Sequence, residues 1–296
     1  MLLATETLPE GDAIDALTSS AAAAMMLRSQ QAALQAVSEA AEQISKGANA
    51  MADAVRAHGS LVYAAAGSSG LMALADASEL SGTFGIPQSS VQINMPGGVP
   101  VDASMPGDTE DNADLAQAAS AGIEPADAVI VLSASGTTPY ALAVAQAAKA
   151  KGATVIGIAN NPNTALLDAA DIAICLQTSA EVIAGSTRLG AGTAQKVALN
   201  LMSSLMGIEL GHVYQGHMVN LIADNAKLIQ RAERIVASVA EVSSDLAQNA
   251  LTQAGGLTKL AVLIAKGCTV PEAESLLITH AGHLGPCFDD LKTTIT

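Results

Sequence analysis

Aromatic side chains are almost absent from this chain of 296 residues, which contains no Trp, three Tyr and two Phe. Half of its residues are nevertheless hydrophobic, and Ala is abundant among them. A core built on Ala favours helices and close packing of helices on a sheet over the bulky interior of a β-sandwich. The length predicts either one large domain with a smaller appendage or two domains.

Positive charge is also scarce, since 13 Lys and Arg stand against 28 Asp and Glu and give a formal net charge of −15. Proteins that follow a nucleic-acid backbone need clustered Lys and Arg, and no such cluster is visible in the sequence. We therefore expect no nucleic-acid partner. The acidic balance is typical of a soluble cytoplasmic protein, and it makes any basic residue near an anion site more informative.

Cysteines and long apolar runs are few. Cys175, Cys268 and Cys287 are widely spaced and form no CxxC pattern, so we expect reduced thiols and no metal site. The first twelve residues, MLLATETLPEGD, lack the basic segment of a signal peptide. The apolar run VALNLMSSLMGIEL (197–210) is too short to span a membrane, which predicts a buried helix and no membrane partner.

Strand-like and helix-like segments alternate along the first two thirds of the chain. The strand candidates are LVYAAA (61–66), SVQINM (90–95), AVIVLSA (128–134), TVIGIA (154–159) and DIAICL (171–176). The continuous apolar run at 128–134 is expected of a central strand that is buried on both faces. The alternation predicts an α/β fold with an open parallel sheet flanked by helices.

Helical periodicity extends beyond the sheet region. The predicted helices cover 12–58 (one or two helices), 70–80, 110–121, 140–152, 190–209 and 217–240, and a small helical subdomain follows. We therefore predict a domain over 1–240 and a C-terminal helical subdomain over 241–296. His212 and His217 fall on or between the long helices, where we expect packed or interface histidines.

Two strand candidates end in turns rich in Gly and hydroxyl groups, AAAGSSG (64–70) and SASGTTP (133–139). Ligands of open α/β sheets bind beyond the carboxyl ends of the strands. A helix N-terminus presents unpaired N–H groups there, and Ser and Thr add donors without bulk.

In the second turn the hydroxyl side chains can surround a phosphate around Gly136; they are Ser133, Ser135, Thr137 and Thr138. Each turn alone is also explained as a capped helix start, but two of them favour a phosphorylated small molecule. Neither turn matches GxGxxG or GK[ST], which argues against a dinucleotide or a nucleoside triphosphate.

Four segments then carry a resemblance to a known family: GSSG, DASE, SASGTTPY and, above all, AEVIAGSTRLGAGTAQKVALNLMSS (180–204). They resemble the N-acetylmuramic acid 6-phosphate etherases, which are sugar-isomerase-type (SIS) phosphosugar proteins of bacterial cell-wall recycling. The resemblance extends from about Thr5 to the C-terminal tail. It implies a flavodoxin-like topology, a phosphorylated amino sugar as substrate, no metal or organic cofactor, and a homodimer with its active sites near the interface.

The resemblance also implies a reaction, in which the ether between D-lactate and C3 of the sugar is cleaved to give N-acetylglucosamine 6-phosphate. The ring-opened sugar loses its C2 proton, lactate leaves from C3, and water adds. Two glutamates serve as acid and base, and their positions match Glu79 in DASE and Glu110 in TED. We assign Glu79 as the acid and Glu110 as the base, because a poor leaving group needs a proton and the C2 proton needs an acceptor. The two carboxyl groups must then hold opposite protonation states.

The same resemblance supplies the remaining candidate residues. Phosphate contacts fall at Ser133, Ser135 and Thr138, and Ser68 and Ser69 line the sugar pocket. Arg188 and Lys196 flank the GAGT turn, where they meet an anion, brace an interface or form a structural salt bridge. Asn160 follows a strand end, where we expect its amide either to hydrogen-bond the sugar or to stabilise the turn.

Three positions depart from the family pattern by losing a basic side chain. Leu71 and Thr137 each stand where Arg is usual, and Gly190 stands where Lys is common. A charge-assisted hydrogen bond contributes roughly 1.5–3 kcal/mol, so these losses weaken the binding of a strongly charged anion. The sequence therefore predicts either a divergent etherase or a relative that acts on another phosphosugar. An aldose–ketose isomerase and a non-catalytic phosphosugar sensor remain the alternatives.

Overall fold

The computed structural model describes residues 3–8, 13–102, 104–105, 109–112, 114–221 and 226–294. The chain divides into two compact units. The first consists of Met1–Ser78 and Ser89–Ser204, and the second of Glu79–Gln88 and Leu205–Thr296. Within the described ranges, no helix is both long enough and apolar enough to cross a membrane.

The first unit is built on a five-stranded, fully parallel sheet with the order β2-β1-β3-β4-β5. Its strands are β1 (Leu61–Ala65), β2 (Val91–Asn94), β3 (Ala128–Ser133), β4 (Thr154–Ala159) and β5 (Ile172–Cys175). The central strand β3 is buried along its whole length, as its continuous apolar run requires. The predicted α/β fold with an open parallel sheet is confirmed.

Successive side chains of each strand point to opposite faces of this sheet, and helices cover the apolar side chains on both faces. The helices of the unit are α1 (Ser19–Glu39), α2 (Ala41–Arg56), α3 (Gly67–Ala77), α5 (Asp114–Ser120), α6 (Pro139–Ala150), α7 (Ala165–Ala169) and the start of α8 (Gly190–Glu209). Val129 and Val131 of β3 pack with Tyr140 and Val144 of α6 on one face. On the other face, Gly47 lets α2 approach the side chains of Ile156, Ile174 and Met202.

The second unit is a helical unit with a small hairpin. It contains α4 (Leu80–Phe84), β6 (Val213–Tyr214), β7 (His217–Met218), α9 (Ala226–Ala240), α10 (Ser244–Gln253), α11 (Thr258–Ala265), α12 (Val270–Thr279) and α13 (Leu284–Thr294). Apolar residues of α9 such as Ile235 and Val236 share one core cluster with Ala250 of α10 and Val262 of α11. The predicted boundary at 240/241 therefore falls inside this unit, because α9 buries its apolar face against the helices that follow it.

Two predicted helices differ from the structure. The single helix over 217–240 is wrong in its first part, because His217 and Met218 form β7 of a hairpin whose two-residue turn is Gln215 (φ 48°) and Gly216 (φ 77°). The helix predicted over 70–80 is α3, which begins earlier at Gly67 and ends at Ala77, and a separate helix α4 begins at Leu80. Glu79 therefore precedes a short helix and does not lie within a long one.

Candidate active site

The two Gly- and hydroxyl-rich turns meet at one cavity of about 270 Å³ in the first unit. They do so because β1 and β3 are neighbours in a parallel sheet, so their carboxyl ends share one edge. The cavity is lined by Glu6, Ala66, Ser68, Ser69, Glu110, Leu132, Ser133, Ala134, Ser135, Thr138, Gly185 and Thr187. Six of the predicted site residues are thus brought together: Ser68, Ser69, Glu110, Ser133, Ser135 and Thr138.

The turn after β3 is organised by the hydroxyl of Ser133, which is 3% exposed. Its Oγ lies 2.8 Å from Thr138 Oγ1 and 3.2 Å from Ser135 Oγ, and it accepts a hydrogen bond of 3.0 Å from the N–H of Gly136. Gly136 has φ 70°, and a side chain at this position would overlap Thr164. The turn therefore requires glycine and presents three linked hydroxyl groups to the cavity.

Both turns continue directly into helices, α3 and α6. Among the described residues, no side chain caps the N-terminus of either helix. Pro139 occupies the first turn of α6, where its missing N–H costs nothing. The first-turn N–H groups of α3 and the positive end of each helix dipole are therefore available to an anion in the cavity, whereas the Tyr140 N–H of α6 donates to the carbonyl of Glu110.

Glu110 supplies a carboxylate to the same cavity and is half-buried. Its backbone carbonyl accepts a hydrogen bond of 3.2 Å from the N–H of Tyr140, which ties the residue to the start of α6. Its Oε1 lies against Gly67, so that a Cβ at position 67 would overlap the carboxylate. Gly67 also has φ 54°, so both its backbone and its neighbour require glycine.

Glu79, the other predicted catalytic residue, is exposed and belongs to the second unit. It precedes α4, and its carbonyl accepts a hydrogen bond of 2.9 Å from the N–H of Thr83. Asp76 of the same DASE segment has a structural position in the first unit. It is 5% exposed and accepts hydrogen bonds from Tyr63 Oη (2.9 Å), Asn200 Nδ2 (2.7 Å) and Ser203 Oγ (2.9 Å).

The remaining predicted residues are not lining residues of the cavity. Thr137, Arg188 and Lys196 are exposed, and the Thr137 hydroxyl donates to Ser135 Oγ at 3.1 Å. Asn160 is fully buried. Its Nδ2 donates to the carbonyl groups of Leu176 and Ala191, and its Oδ1 accepts a hydrogen bond of 2.9 Å from Gln195 Nε2. The Asn160 amide thus joins the end of β4 to β5 and α8.

The segment 180–204 owes part of its pattern to a buried carboxylate. Glu181 is 1% exposed, and its two oxygens accept the N–H groups of Gly190 (3.0 Å) and Ala191 (2.9 Å) at the start of α8. A carboxylate at this place satisfies unpaired donors and faces the positive end of the helix dipole. Gly190, the position at which the resemblance leads us to expect Lys, is the first residue of α8 and donates its N–H to this carboxylate.

Three lining residues that belong neither to β3 nor to the two turns, Glu6, Gly185 and Thr187, are not among the predicted site residues. Glu6 lies far from both turns in the sequence and in none of the quoted segments, whereas Gly185 and Thr187 lie in the segment 180–204 that carries the resemblance. Both histidines fit the predicted packed state. Burial lowers the pKa of His212 to about 3, helped by the charge of Lys259, and His217 Nε2 lies 3.3 Å from Ser238 Oγ. Across the described residues, no group of His, Cys, Asp and Glu is placed to hold a metal ion.

Comparison with known proteins places these features in context. Residues 27–160 match the SIS domain family. The N-acetylmuramic acid 6-phosphate etherase of Deinococcus radiodurans is 40% identical over 278 residues, which cover 93% of this chain and 91% of that protein. The etherase of Symbiobacterium thermophilum is 39% identical over 229 residues, which cover 77% of this chain and 76% of that protein. A solved phosphoheptose isomerase from Francisella tularensis is similar with a TM-score of 0.45 and 20% identity, over 65% of this chain and 98% of the isomerase chain.

Proposed function

Because the chain belongs to the N-acetylmuramic acid 6-phosphate etherase family, we propose that it cleaves the ether between D-lactate and C3 of N-acetylmuramic acid 6-phosphate. The enzyme is a carbon–oxygen lyase, and its products are N-acetylglucosamine 6-phosphate and D-lactate. The observation that carries this proposal is the cavity in which two hydroxyl-rich helix starts face the carboxylate of Glu110.

The phosphate binds at the turn after β3, through the hydroxyls of Ser133, Ser135 and Thr138 and at the positive end of the α6 dipole. Ser68 and Ser69 add donors from the start of α3. This mode of binding suits the chain, because Leu71 and Thr137 offer no cation where the family usually has Arg. Backbone N–H groups and a helix dipole stabilise a phosphate without a formal positive charge.

Glu110 is the base in this proposal. In the ring-opened sugar, C1 is a carbonyl and acidifies the proton on C2. The Glu110 carboxylate takes that proton, and the C2=C3 double bond forms as the C3–O bond breaks. The leaving oxygen of lactate gains a proton from the acid, for which we propose Glu79 on the strength of the DASE resemblance. Water then adds to C3 while C2 regains a proton.

We also propose a homodimer that works in the cytoplasm, as the resemblance implies. The three cysteines are free in the structure, which suits a reducing compartment. Light scattering of the purified protein tests the dimer. The expected mass is twice the 29.5 kDa of one chain, and a monomer at micromolar concentration contradicts the proposal.

Two assays with the same variants test the proposed chemistry. The first follows D-lactate released from N-acetylmuramic acid 6-phosphate. The second follows exchange of the C2 hydrogen of N-acetylglucosamine 6-phosphate with deuterated water by NMR. Glu110→Gln should abolish both signals, whereas Glu79→Gln should retain C2 exchange and lose lactate release. Glu39→Gln, which changes an exposed residue at the end of α1, is the matched control and should behave as wild type.

The outcomes separate the alternatives. An isomerase would exchange the C2 hydrogen and interconvert aldose and ketose without releasing lactate. A sensor would bind the phosphosugar with no turnover in either assay. If Glu79→Gln loses exchange while Glu110→Gln retains it, the two roles are reversed and our assignment is wrong.

A further inference from the structure

Glu6 lines the cavity together with Glu110, although it lies more than a hundred residues away in the sequence. It ends a short 3₁₀ helix, Ala4–Glu6, and its side chain is exposed at the mouth of the cavity. The cavity thus contains two carboxylates from the first unit. Glu110 has a role in the proposed reaction, but Glu6 has none.

The segment that carries Glu6 is fixed to the site through Thr5 and Asn161. Thr5 is fully buried, and its Oγ1 accepts a hydrogen bond of 3.2 Å from Asn161 Nδ2. The N–H of Ala4 donates to Asn161 Oδ1 at 3.0 Å. Asn161 Nδ2 also donates to the carbonyl of Ala134 at 2.9 Å, and Ala134 lies in the turn after β3 that presents the hydroxyls of Ser133, Ser135 and Thr138. The position of Glu6 is therefore coupled to the turn that holds the phosphate.

A further hydrogen bond joins the segment to Gly185, another lining residue of the cavity. The N–H of Gly185 donates to the carbonyl of Thr5 at 3.1 Å. Gly185 has φ 73°, and a Cβ there would lie 3.2 Å from Glu6 Oε2. Glycine at position 185 thus leaves room for the carboxylate and accommodates a backbone that other residues rarely adopt.

The chemistry of a carboxylate decides which part of a ligand can lie beside it. An ionised carboxylate only accepts hydrogen bonds, and it repels a phosphate. The hydroxyls of Ser133, Ser135 and Thr138 supply the donors that a phosphate needs. A ligand with its phosphate at those hydroxyls can place only uncharged donors, such as O–H or N–H groups, beside Glu6.

We infer that Glu6 binds the sugar end of the phosphosugar by accepting a hydrogen bond from a hydroxyl or from the acetamido N–H. Glu6 thereby orients the substrate so that the phosphate lies at the turn after β3 and the sugar carbons lie beside the carboxylates of Glu6 and Glu110. The inference deepens the proposed function and rests on it, since it requires a phosphosugar in this cavity.

The test compares two ligands by isothermal titration calorimetry, N-acetylglucosamine 6-phosphate and inorganic phosphate. A hydrogen bond to a charged group is lost in Glu6→Ala, which should weaken binding of the phosphosugar about tenfold. Glu6→Gln retains a neutral acceptor of the same shape and should weaken it by about threefold. Binding of inorganic phosphate should stay equal or become tighter in both variants, because a nearby negative charge is removed. Glu39→Ala is the control for loss of an exposed carboxylate.

Each outcome decides between the two proposals. Selective loss of phosphosugar affinity supports the role of Glu6, and a rise in KM with little change in kcat in the lactate assay supports it further. Unchanged phosphosugar affinity in Glu6→Ala overturns it, and so does an equal loss for both ligands, which would indicate damage to the phosphate turn. If wild type binds inorganic phosphate but no phosphosugar, the proposed function fails and the role of Glu6 fails with it.

Discussion

Gly67 offers the sharpest perturbation of the site, because it is where the chain leaves β1 and begins α3. Its φ of 54° lies in the left-handed region, and its missing side chain leaves the space in which the Glu110 carboxylate lies. Gly67→Ala adds one methyl group at this point. The methyl group and Glu110 Oε1 cannot occupy their positions together, so the carboxylate must move.

Two magnitudes follow from this geometry. The left-handed backbone costs roughly 1–2 kcal/mol for a residue with a Cβ. Glu110 is half-buried and can rotate away, so the free energy of unfolding should fall by little more than that. A catalytic group misplaced by about 1 Å can lower the rate about 100-fold. We therefore expect a large loss of kcat beside a modest loss of stability.

Gly255 provides the matched control, since its φ is 60° and an added Cβ would meet nothing within 4 Å. Gly255→Ala should lower stability by about the same 1–2 kcal/mol and keep the wild-type kcat for lactate release. Urea denaturation measures the first quantity and the coupled lactate assay the second. A wild-type kcat in Gly67→Ala would refute the placement of Glu110 in the reaction. An equal loss of kcat in Gly67→Ala and Gly255→Ala would show that backbone strain, and not the displaced carboxylate, causes the loss.

Three further predictions concern single side chains. Ser133→Ala removes one donor to the phosphate and the acceptor of the Gly136 N–H, so phosphate affinity measured by calorimetry should fall about tenfold; unchanged affinity would contradict the assignment of this turn. Asp76→Ala leaves buried donors such as Tyr63 Oη unpaired and should cost about 3–5 kcal/mol in urea denaturation, whereas a loss below 1 kcal/mol would show that the network is dispensable. Burial lowers the pKa of Lys259 from 10.5 to about 8, so the unfolded chain binds more protons between these pH values and stability rises with pH there, by up to about 3 kcal/mol. Lys259→Met should remove this rise, and an identical pH dependence in both proteins would contradict the burial of the amine.

Much of the fold is predictable because local patterns and tertiary structure agree. The apolar run at 128–134 predicts a strand buried on both faces, and β3 is such a strand. The hairpin before α9 is not predictable from periodicity, because Met218 continues the apolar spacing of the helix that follows. Only the turn at Gln215 and Gly216, with positive φ at both residues, ends that pattern.

The site is predictable where one turn contributes its own residues. Ser133, Ser135 and Thr138 lie within six residues, and their hydroxyls converge because the strand-to-helix turn itself brings them together. Glu6 and Gly185 are not predictable in this way, since their approach depends on hydrogen bonds through Thr5 and on the packing of distant segments. Asn160 shows the opposite case: a polar residue at a strand end whose amide is used entirely inside the protein.

The most direct test of the central claim is the fate of oxygen-18 when the wild-type enzyme turns over N-acetylmuramic acid 6-phosphate in labelled water. Elimination followed by hydration breaks the bond between C3 and the lactyl oxygen. Mass spectrometry should therefore find unlabelled D-lactate and a sugar phosphate that carries the label at C3. Labelled lactate, or a bound phosphosugar that releases no lactate, would contradict the claim that this cavity performs the elimination.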